Sequence, residues 1–544
     1  MILDSLAFRV NNCFMNLSVI SKRTKGEVIV IGAGIAGLAA SLRLAHQGFS
    51  VTVLERHAGP GGKMRGLSSV AGPIDAGPTV LTMRPVFEDL FRSVGEQIED
   101  HLTLVRQKIL ARHWWPDGSS LDLFDDYEAS QEAIYEFAGL KAFGEFQEFF
   151  KRTQRLFTAF DAPMMRAAQP NQAEIIKSVV KNPSLISDMA PWHSLSKMLE
   201  KQFSDPRLAQ LFGRYATYVG GSPYAAPGLL SLIWQAEANG VWAVKGGMHK
   251  LAKKLVELSE NRGAIFHYNS HVSRILTKDE KVIGVTLENG ENISADAVVF
   301  NGDPRALATG AMGPDCQKIA PQTLKDKRSF SARVWSFAAE LTGPDLIHHN
   351  VFFGQSSKSE FDDLAEGQMP VDPTIYICAQ DRGQNAPYPK TERFEIILNA
   401  APVYGAQTLE KEFETCRTRT FDTLGRFGLT FSPLPKEEAL TTPADFASMF
   451  PASDGSLYGQ SPHGLTAAFR RPTTRTQIQG LYLAGGGAHP GAGVPMATLS
   501  ARHAAEAIIK DLTSTSSSPQ MDMHGGISTE SIELRNARFQ SSDS

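Results

Sequence analysis

Near the start of the chain, short apolar runs lead into glycine-rich turns. Val28–Ile31 is apolar throughout and leads into a turn at residues 32–37, and helical spacing of apolar residues continues over 35–47. A second apolar run follows at Val51–Leu54. Continuous apolar runs of this length, separated by a glycine turn and a helix, are typical of buried parallel strands. This part of the chain therefore predicts the strand, turn, helix and strand of an α/β unit.

The spacing of apolar residues changes to i, i+3 and i+4 between about Asp122 and Gln235. Examples of this spacing are Leu195, Met198, Leu199 and Phe203, and then Leu208, Leu211 and Phe212. A period near 3.6 residues is typical of helices that bury one face. The middle of the chain therefore predicts an inserted helical domain.

Alternating strand patterns return after the glycine pair at 246–247, which opens a helix. Three candidate strands follow, at Ala264–Tyr268, Val272–Thr277 and Val282–Leu287. Ala295–Asp303 then predicts a buried parallel strand with a polar exit loop. From Ser329 to about Leu440, runs such as Ile375–Ala379 and Phe394–Ala400 predict the strands of a substrate-domain sheet.

The composition excludes several classes of function. The 544 residues carry a net charge of −4, so no overall basic field recruits nucleic acid, and no nucleic-acid partner is expected. The four cysteines are widely spaced without a Cys-x-x-Cys pair, which argues against a disulfide framework or a zinc site, and no metal is expected. No apolar run approaches the ~18 residues of a membrane span, so any membrane contact is expected to be peripheral.

The first glycine turn carries a dinucleotide-binding fingerprint. Gly32 permits the tight turn, Gly34 lets the backbone approach a pyrophosphate, and Gly37 lets the helix pack close to the sheet. The pyrophosphate is expected at the N-terminus of the following helix, where unpaired N–H groups and the helix dipole favour an anion. Glu55 lies 18 residues after Gly37, near the ~20-residue spacing of an acid that binds a ribose hydroxyl. This fingerprint alone does not distinguish NAD from FAD.

Two further glycine turns favour FAD. Gly59–Arg65 places a paired glycine and basic residues just beyond the ribose-binding acid. Some 450 residues after the first turn, Gly480–Met496 predicts a strand and a glycine turn, followed by a helix to about Leu512. The N-terminus of that helix suits an anion or a flavin carbonyl. Glycine turns at both chain ends are what a two-segment FAD site requires, whereas a nicotinamide site needs only one.

Six motifs together are specific to one family. They are residues 32–37, 60–64, 75–80, 222–227, 246–248 and 489–495. With them the chain resembles the bacterial-type phytoene desaturase family, FAD-containing carotenoid desaturases related to amine oxidases, from about Glu27 to Leu512. Three stretches, Asp75–Arg84, Gly213–Gly221 and Ile233–Glu237, are most similar to the 1-hydroxycarotenoid 3,4-desaturases, also called methoxyneurosporene dehydrogenases. The chain departs from the family's flavin motif at Lys63, where the family has Arg, which keeps the charge but loses the planar fork.

The resemblance implies an FAD site and a redox reaction. The residues implied to bind FAD are Gly32, Ala33, Gly34, Ile35, Ala36, Gly37, Glu55, Arg56, Gly61, Gly62, Lys63, Met64, Gly77, Pro78, Thr79, Val272, Gly485, Gly486, Gly493, Val494, Pro495 and Met496. The implied reaction removes two hydrogens from C-3 and C-4 of an acyclic 1-hydroxy or 1-methoxy C40 carotenoid, with flavin N5 as the hydride acceptor. A quinone or oxygen is the implied electron acceptor that reoxidises the flavin.

Aromatic residues of the helical region are candidates for the lining of an apolar carotenoid tunnel. They are Trp192, Tyr215, Tyr218, Trp234 and Trp242, each of which also fits ordinary core packing. Candidates for a proton acceptor are His489, His249, His193 and Glu237, and a structural role is favoured for His489 and His249. No catalytic residue is assigned. Since the substrate dissolves only in a bilayer, we expect a cytoplasmic protein docked peripherally on a membrane, with Ser204–Gln235 as the candidate contact segment.

The predicted fold class is α/β: a Rossmann-type FAD-binding domain like that of amine oxidases, a substrate domain of mixed sheet, and an inserted helical domain. The predicted segments are a disordered extension at 1–25, the FAD-binding domain at 26–110, 246–328 and 441–512, the helical insert with the substrate and membrane-contact region at 111–245, the substrate-domain sheet at 329–440, and a disordered tail at 513–544.

Other functions open at this point are a phytoene desaturase, a carotene isomerase, an amine oxidase, and a non-catalytic flavin- or carotenoid-binding protein.

Overall fold

The computed structural model describes residues 25–384, 387–403 and 412–514. The predicted disordered extension lies outside the described residues, apart from Lys25. The predicted tail also lies outside them, apart from Thr513 and Ser514, which complete the last helix rather than a disordered segment. Within the described residues, no helix is both long and apolar enough to span a bilayer.

Five parallel strands form the sheet that carries the glycine turns. In spatial order they are Leu481–Leu483, Ala297–Phe300, Glu27–Ile31, Ser50–Leu54 and Ile265–His267. The first strand is central: Val28 pairs with Val51 on one side and Ala297 on the other. Strands from both halves of the chain therefore lie side by side, and their carboxyl ends meet at one edge. Ligands of open α/β sheets bind outside this edge.

Three long helices cover one face of this sheet. They are Ile35–His46, His249–Glu260 and Val494–Ser514, and Arg84–Arg92 packs beside them. Their buried side chains share one apolar core with the first two strands. The other face is covered by an antiparallel sheet of Val272–Lys278, Lys281–Leu287 and Asn292–Ser294. Ala297–Phe300 buries all four of its residues, because this strand is covered on both faces.

A second, larger sheet of eight strands forms the substrate domain. Its main path is Thr430–Ser432, Ser331–Thr342, Glu392–Ala400, Ile375–Ala379, His349–Phe352, Ile109–Trp114 and Ser120–Phe124, and Leu440–Thr441 pairs with Ser331–Thr342. The sheet is mixed, because His349–Phe352 runs parallel to Ile109–Trp114 whereas its other pairs are antiparallel. Ile109–Trp114 and Ser120–Phe124 lie in the segments predicted as the first FAD-binding segment and the helical insert. In Ser120–Phe124 only Leu121 and Leu123 are buried, an alternation too short to stand out in the sequence.

The helical insert begins at Tyr127. Its helices are Tyr127–Phe160, Gln172–Lys181, Ser184–Met189, Leu195–Gln202, Pro206–Gly213 and Ile233–Ala238, with shorter turns of helix at Asp161–Arg166, Arg214–Val219 and Gly228–Leu232. Its core is aromatic, with Phe146, Phe149, Phe212 and Trp234 in mutual ring contact. Burying side chains of this size contributes about 1.5–3 kcal/mol each, so the insert has a core of its own beside the sheet.

The remaining elements are two-stranded ribbons, further helices and single helical turns. Two-stranded ribbons pair Gly66–Leu67 with Ile74–Asp75 and Leu104–Arg106 with Trp242–Val244. The other helices are Arg305–Ala308, Ser357–Ala365, Glu412–Arg426 and Pro443–Met449, and single turns lie at Ile98–Asp100, Pro314–Lys318, Pro321–Leu324, Glu437–Ala439 and Ala467–Phe469.

Candidate functional site

The first glycine turn adopts the geometry that its sequence predicts. Gly32 has φ +94°, and its N–H donates to the Leu54 carbonyl at 2.8 Å. A Cβ at Gly37 would overlap the Gly32 carbonyl oxygen, so only glycine lets this helix approach the strand. Gly34 precedes the helix without a side-chain capping bond. The first N–H groups of the helix are therefore left for a ligand.

Glu55 lies at the carboxyl end of the second strand and faces this turn. Its carboxylate is buried and accepts the Ala33 N–H at 2.7 Å and the His57 N–H at 2.8 Å. Arg56 beside it is exposed. The Glu55 carbonyl accepts the Ser270 N–H at 2.8 Å, which brings the start of the strand containing Val272 to the same end of the sheet. The predicted ribose-binding acid is thus held in place by backbone groups of both neighbouring segments.

The second glycine turn packs directly on the first. Gly61 and Gly34 form a parallel bridge, and the Gly61 N–H donates to the Ala33 carbonyl at 2.9 Å. Gly62 has φ +57°, and a Cβ there would lie 3.1 Å from the Gly34 Cα. Gly77 continues the stack, since a Cβ on it would overlap the Lys63 carbonyl oxygen. Pro78 and Thr79 follow Gly77 in the chain. The first turn, the second turn and residues 77–79, all predicted to bind the cofactor, are therefore in contact.

Lys63 points from the second turn toward the substrate domain. Its Nζ donates to the Leu457 carbonyl at 2.6 Å and lies 5.2 Å from the centre of the Phe450 ring. Burial lowers the pKa of Lys63 to about 8, against the opposing influence of the nearby Asp303 carboxylate. An arginine could not lose its charge in the same surroundings. The departure from the family motif therefore changes the protonation behaviour of this position.

Met64 is buried, and its carbonyl accepts a hydrogen bond from the His249 ring at 2.8 Å, with Nδ1 as the ring atom. The helix that His249 begins is capped by Asp75, whose carboxylate accepts the N–H groups of Met248 at 2.5 Å and of His249 at 3.1 Å. Burial raises the pKa of Asp75. The His249 ring thus holds the second glycine turn through the Met64 carbonyl. This contact is a structural role for His249, the alternative to a role as proton acceptor.

The glycine turn near the end of the chain joins the first turn through Asn301. The Asn301 side chain donates to the Gly32 carbonyl at 3.1 Å, and a Cβ at Gly485 would lie 3.0 Å from its amide oxygen. Gly486 accepts from Arg471 at 2.7 Å. Asn301 was not among the residues predicted for the site. Its position directly after a buried parallel strand is the feature of the sequence that indicates such a role.

The last helix begins at Val494, Pro495 and Met496, after Gly493 with φ +105°. It packs on the helix of the first glycine turn. Neither helix has an acidic residue in its first turn, so neither repels an anion there. Gly34, Gly61, Gly62 and Gly485 are called the glycine cradle below.

The residues present fit a dinucleotide. A Cβ at each glycine of the cradle would lie only 2.4–3.1 Å from another protein atom, so the turns pack closely, and two helix N-termini open at the same sheet edge. The predicted cofactor-binding residues come from segments up to about 450 positions apart and meet there. Direct contact of each with FAD stays a prediction.

A buried polar cluster lies between the helical insert and the substrate sheet. Glu237 accepts hydrogen bonds from Tyr215 at 2.5 Å and from Tyr218, and Arg214 lies 4.0 Å from the same carboxylate. All four side chains are largely or fully buried. Burial raises the pKa of Tyr215 and of Tyr218. Glu237 therefore balances the Arg214 charge, and the two tyrosines that the sequence predicts as tunnel lining serve this cluster.

The other tunnel candidates lie in different surroundings. Trp234 is fully buried in the aromatic core of the insert, whereas Trp192 is 83% exposed. Trp242 lies in a two-stranded ribbon, with the guanidinium groups of Arg84 and Arg106 over its ring. The prediction of a tunnel wall is therefore wrong for Trp192 and Trp242, because one faces solvent and the other packs against charged side chains outside the insert.

The remaining proton-acceptor candidates also have structural contacts. His193 lies 2.6 Å from the Lys201 amine through Nε2, at the surface. His489 is buried in the last glycine turn, and its Nε2 lies 2.9 Å from the Ala167 carbonyl. Burial lowers the pKa of His489. The structure gives no reason to assign a catalytic residue among these candidates.

Three side chains of the substrate sheet form a nitrogen and sulfur group that the sequence analysis did not find. Ligand atoms of His348, His349 and Cys378 lie within 4.8 Å of one another and are buried. His348 bonds the Arg382 carbonyl at 2.7 Å and lies 3.6 Å from the Cys378 sulfur, and His349 bonds the Tyr376 hydroxyl at 2.7 Å. His348 and His349 are thus each held by a neighbour outside the group, and the expectation of no metal stays untested.

A cleft of about 740 Å³ opens beside the insert. Its walls are the helices Leu195–Gln202 and Pro206–Gly213 and the loop at 354–358. Phe203, Pro206 and Pro223 supply much of its apolar lining, together with Trp115. The lining also carries charged side chains, Glu200, Arg207 and Lys358 among them, so the cleft is only partly apolar.

Comparisons with known proteins agree with this geometry. The family model described as flavin containing amine oxidoreductase matches residues 35–509. The hydroxyneurosporene desaturase of Cereibacter sphaeroides is 53% identical over 490 residues, which cover 90% of this chain and 99% of that protein. The hydroxyneurosporene desaturase of Rhodobacter capsulatus is 50% identical over 489 residues, with 90% and 99% covered.

Solved structures with the same architecture are more distant in sequence. A putrescine oxidase with bound putrescine aligns with a TM-score of 0.57 at 14% identity, covering 89% of this chain and 99% of that one. At this identity the likeness concerns the fold alone.

Proposed function

Because the chain belongs to the flavin containing amine oxidoreductase family, we propose that it is an FAD-dependent carotenoid desaturase that introduces a C-3,4 double bond into 1-hydroxy or 1-methoxy acyclic carotenoids. The observation that carries the proposal is the 53% identity to a hydroxyneurosporene desaturase across almost the whole of that protein. A substrate of this kind is a long apolar polyene, and the reaction belongs to carotenoid biosynthesis.

Different groups of residues have different roles in the proposed reaction. Bound FAD supplies a hydride acceptor at N5. The glycine cradle and the two helix N-termini hold the diphosphate, and Glu55 binds a ribose hydroxyl. The aromatic core of the insert and the cleft beside it exclude water from the polyene and orient it. The second hydrogen would leave as a proton to water, and the two electrons would pass to a quinone or oxygen.

Pigment analysis tests this function. Expression in a host that accumulates 1-hydroxy acyclic carotenoids is expected to give products with one more conjugated double bond, seen as two hydrogens lost by mass spectrometry and an absorption maximum at longer wavelength. Parallel hosts accumulate phytoene or lycopene. Consumption of phytoene with no change in the 1-hydroxy host would identify a phytoene desaturase, and geometric isomers of unchanged mass would identify an isomerase.

We propose that the enzyme docks on a bilayer through an apolar patch of the helical insert. Ile176, Val180, Ile186 and Trp192, here called the apolar patch, are 62%, 73%, 42% and 83% exposed. The helix Gln172–Lys181 buries none of its residues, and its Lys177 and Lys181 are exposed beside the patch. Exposed apolar residues with nearby lysines are typical of helices that lie in the interface of an anionic membrane.

The position of this patch differs from the one expected from the sequence. The predicted contact segment Ser204–Gln235 buries its large apolar residues, including Leu208, Leu211 and Phe212. Those residues pack on the helix Tyr127–Phe160, which the periodicity of the segment does not reveal. The exposed residues lie just upstream, next to the helices that line the cleft. A carotenoid leaving the bilayer would thus enter close to its binding region.

Vesicle binding tests the docking surface. The double substitution Val180→Glu and Trp192→Glu is expected to weaken partitioning onto vesicles of anionic phospholipid at least about tenfold, since each change removes buried apolar area and adds a repelled charge. Partitioning is measured by flotation of the purified, FAD-loaded protein. Val371→Glu is the matched control, because Val371 is 70% exposed but lies on the substrate domain. Equal losses for the patch variant and the control would contradict docking at this surface.

A further inference from the structure

Glu395 is a buried carboxyl group without a side-chain hydrogen-bond partner. It lies in the strand Glu392–Ala400, in register with Ser336 on one side and Cys378 on the other. Its side chain is fully buried, and no side chain donates a hydrogen bond to either carboxyl oxygen; the backbone N–H of Gly77 is the group that acts on it. Nearly all buried polar groups have hydrogen-bond partners. A ligand beside Glu395 would supply the hydrogen bonds that its side-chain neighbours do not.

The groups that face Glu395 favour its neutral form. Burial raises the pKa of Glu395 well above its usual value, and the nearby Asp75 carboxyl adds to this, whereas Arg65 and the Gly77 N–H oppose it. Its other titratable neighbours are Tyr376, Cys378 and Tyr458, and burial raises the pKa of each of them, so none supplies a counter-charge. A neutral carboxylic acid offers one O–H donor and acceptor oxygens, and here no side chain uses them.

Glu395 faces the cofactor side of the substrate sheet. Gly77, whose N–H acts on Glu395, packs against Lys63 of the second glycine turn. Thr79, two residues further on, bonds the Tyr376 hydroxyl at 2.8 Å, and Tyr376 lies on the strand next to Glu395. The Glu395 carboxyl therefore lies where the predicted cofactor segment 77–79 meets the substrate domain.

The chemistry of the proposed substrate requires a polar group at such a place. The oxygen on C-1 is separated from the reacting C-3 by three single bonds, a span of at most about 4 Å. Any group that binds this oxygen must therefore lie beside the reacting carbons. The rest of the polyene is apolar and repeats along its length, so an apolar tunnel cannot by itself select which carbon pair reaches the flavin. One hydrogen bond at the oxygenated end would fix which pair of carbons lies beside the flavin.

We propose that Glu395 anchors the substrate by hydrogen bonding the oxygen on C-1. This inference rests on the proposed function. The acid O–H donates to a 1-hydroxyl or a 1-methoxy oxygen, and its carbonyl oxygen also accepts from a 1-hydroxyl. Glu395 is thus the residue that sets which end of which carotenoid is desaturated.

Substrate preference tests the anchor. Wild type and two variants, Glu395→Gln and Glu395→Leu, are each given a 1-hydroxy carotenoid and the matching carotenoid without the hydroxyl. We expect Glu395→Leu to lose about 10- to 100-fold in kcat/KM for the hydroxylated substrate alone, since only that substrate loses a hydrogen bond. Glu395→Gln keeps a donor and an acceptor at the same size and is expected to retain most of the preference.

Glu360→Gln is the matched control. Glu360 is also fully buried, but its oxygens accept from Thr374 at 2.6 Å and from Asn399 at 3.0 Å. This variant is expected to keep the wild-type preference. Equal losses on both substrates in Glu395→Leu would show a structural role and overturn the anchor. Failure of wild type itself to convert the 1-hydroxy carotenoid would instead overturn the proposed function.

Infrared spectroscopy gives a readout that does not depend on turnover. With the flavin kept reduced, wild type should show the C=O stretch of a buried protonated carboxyl that Glu395→Gln lacks. Adding the 1-hydroxy carotenoid should shift this band to lower frequency, whereas the carotenoid without the hydroxyl should leave it in place. An unshifted band, or identical shifts with the two carotenoids, would overturn the proposal even if Glu395→Leu does not fold.

Discussion

Gly34→Asp is expected to give a folded protein that binds FAD at least ~100-fold more weakly than wild type. Gly34 has φ −71°, which any residue adopts, and a Cβ there meets only the Asn301 amide nitrogen at 3.0 Å, the movable end of a side chain. The fold should therefore survive the change. The new carboxylate would occupy the glycine cradle and repel the diphosphate, and like charges brought together in this way cost several kcal/mol.

The measurement is the flavin absorbance of the purified protein, followed by titration of the apoprotein with FAD. Gly59→Asp is the matched control: it adds the same charge near the second turn, but nothing lies within 4 Å of its Cβ. Gly34→Ala should give an intermediate affinity. Yellow Gly34→Asp protein with wild-type affinity would show that the diphosphate does not lie at this helix.

Glu237→Leu is expected to lower the midpoint of thermal unfolding by about 5–10 °C. The change leaves the buried Arg214 charge without its carboxylate and removes the acceptor of the Tyr215 and Tyr218 hydroxyls. Breaking a buried pair by removing one partner typically costs about 3–5 kcal/mol, because the remaining charge is uncompensated.

Circular dichroism on the FAD-loaded protein gives the midpoint. Glu414→Leu is the control, since Glu414 pairs with Arg417 at 2.9 Å on an exposed helix surface, where a pair contributes under about 1 kcal/mol. Adding Arg214→Met to Glu237→Leu should recover much of the loss by removing the unpaired charge. A midpoint for Glu237→Leu no lower than that of Glu414→Leu would refute a stabilising role for the cluster.

The elements around the glycine turns could be predicted from the sequence. The apolar runs at Val28–Ile31 and Val51–Leu54 form neighbouring parallel strands, and the helix expected over 35–47 is observed at Ile35–His46. The strand Ile375–Ala379 has the predicted bounds. These elements are encoded locally, since the period of apolar residues and the backbone freedom of glycine both act within a few positions.

Other features could not be predicted because they depend on partners far along the chain. Ile109–Trp114 became a strand of the substrate sheet by pairing with His349–Phe352, some 240 residues away. Large apolar residues of Ser204–Gln235 are buried against the helix Tyr127–Phe160. The proposed membrane contact is therefore the apolar patch and not the predicted segment. A helical period marks an apolar face but does not say whether protein or lipid covers it.

The sequence by itself determined the family, the parallel strands and the glycine turns that suit FAD, because motifs and turn geometry reside in contiguous residues. Only the tertiary structure decided that Asn301 joins the two ends of the chain, that Glu237 balances Arg214, and that Glu395 is buried without a side-chain partner. Whether a polar side chain is satisfied depends on every group packed around it, and those groups come from distant segments that meet only in the folded protein.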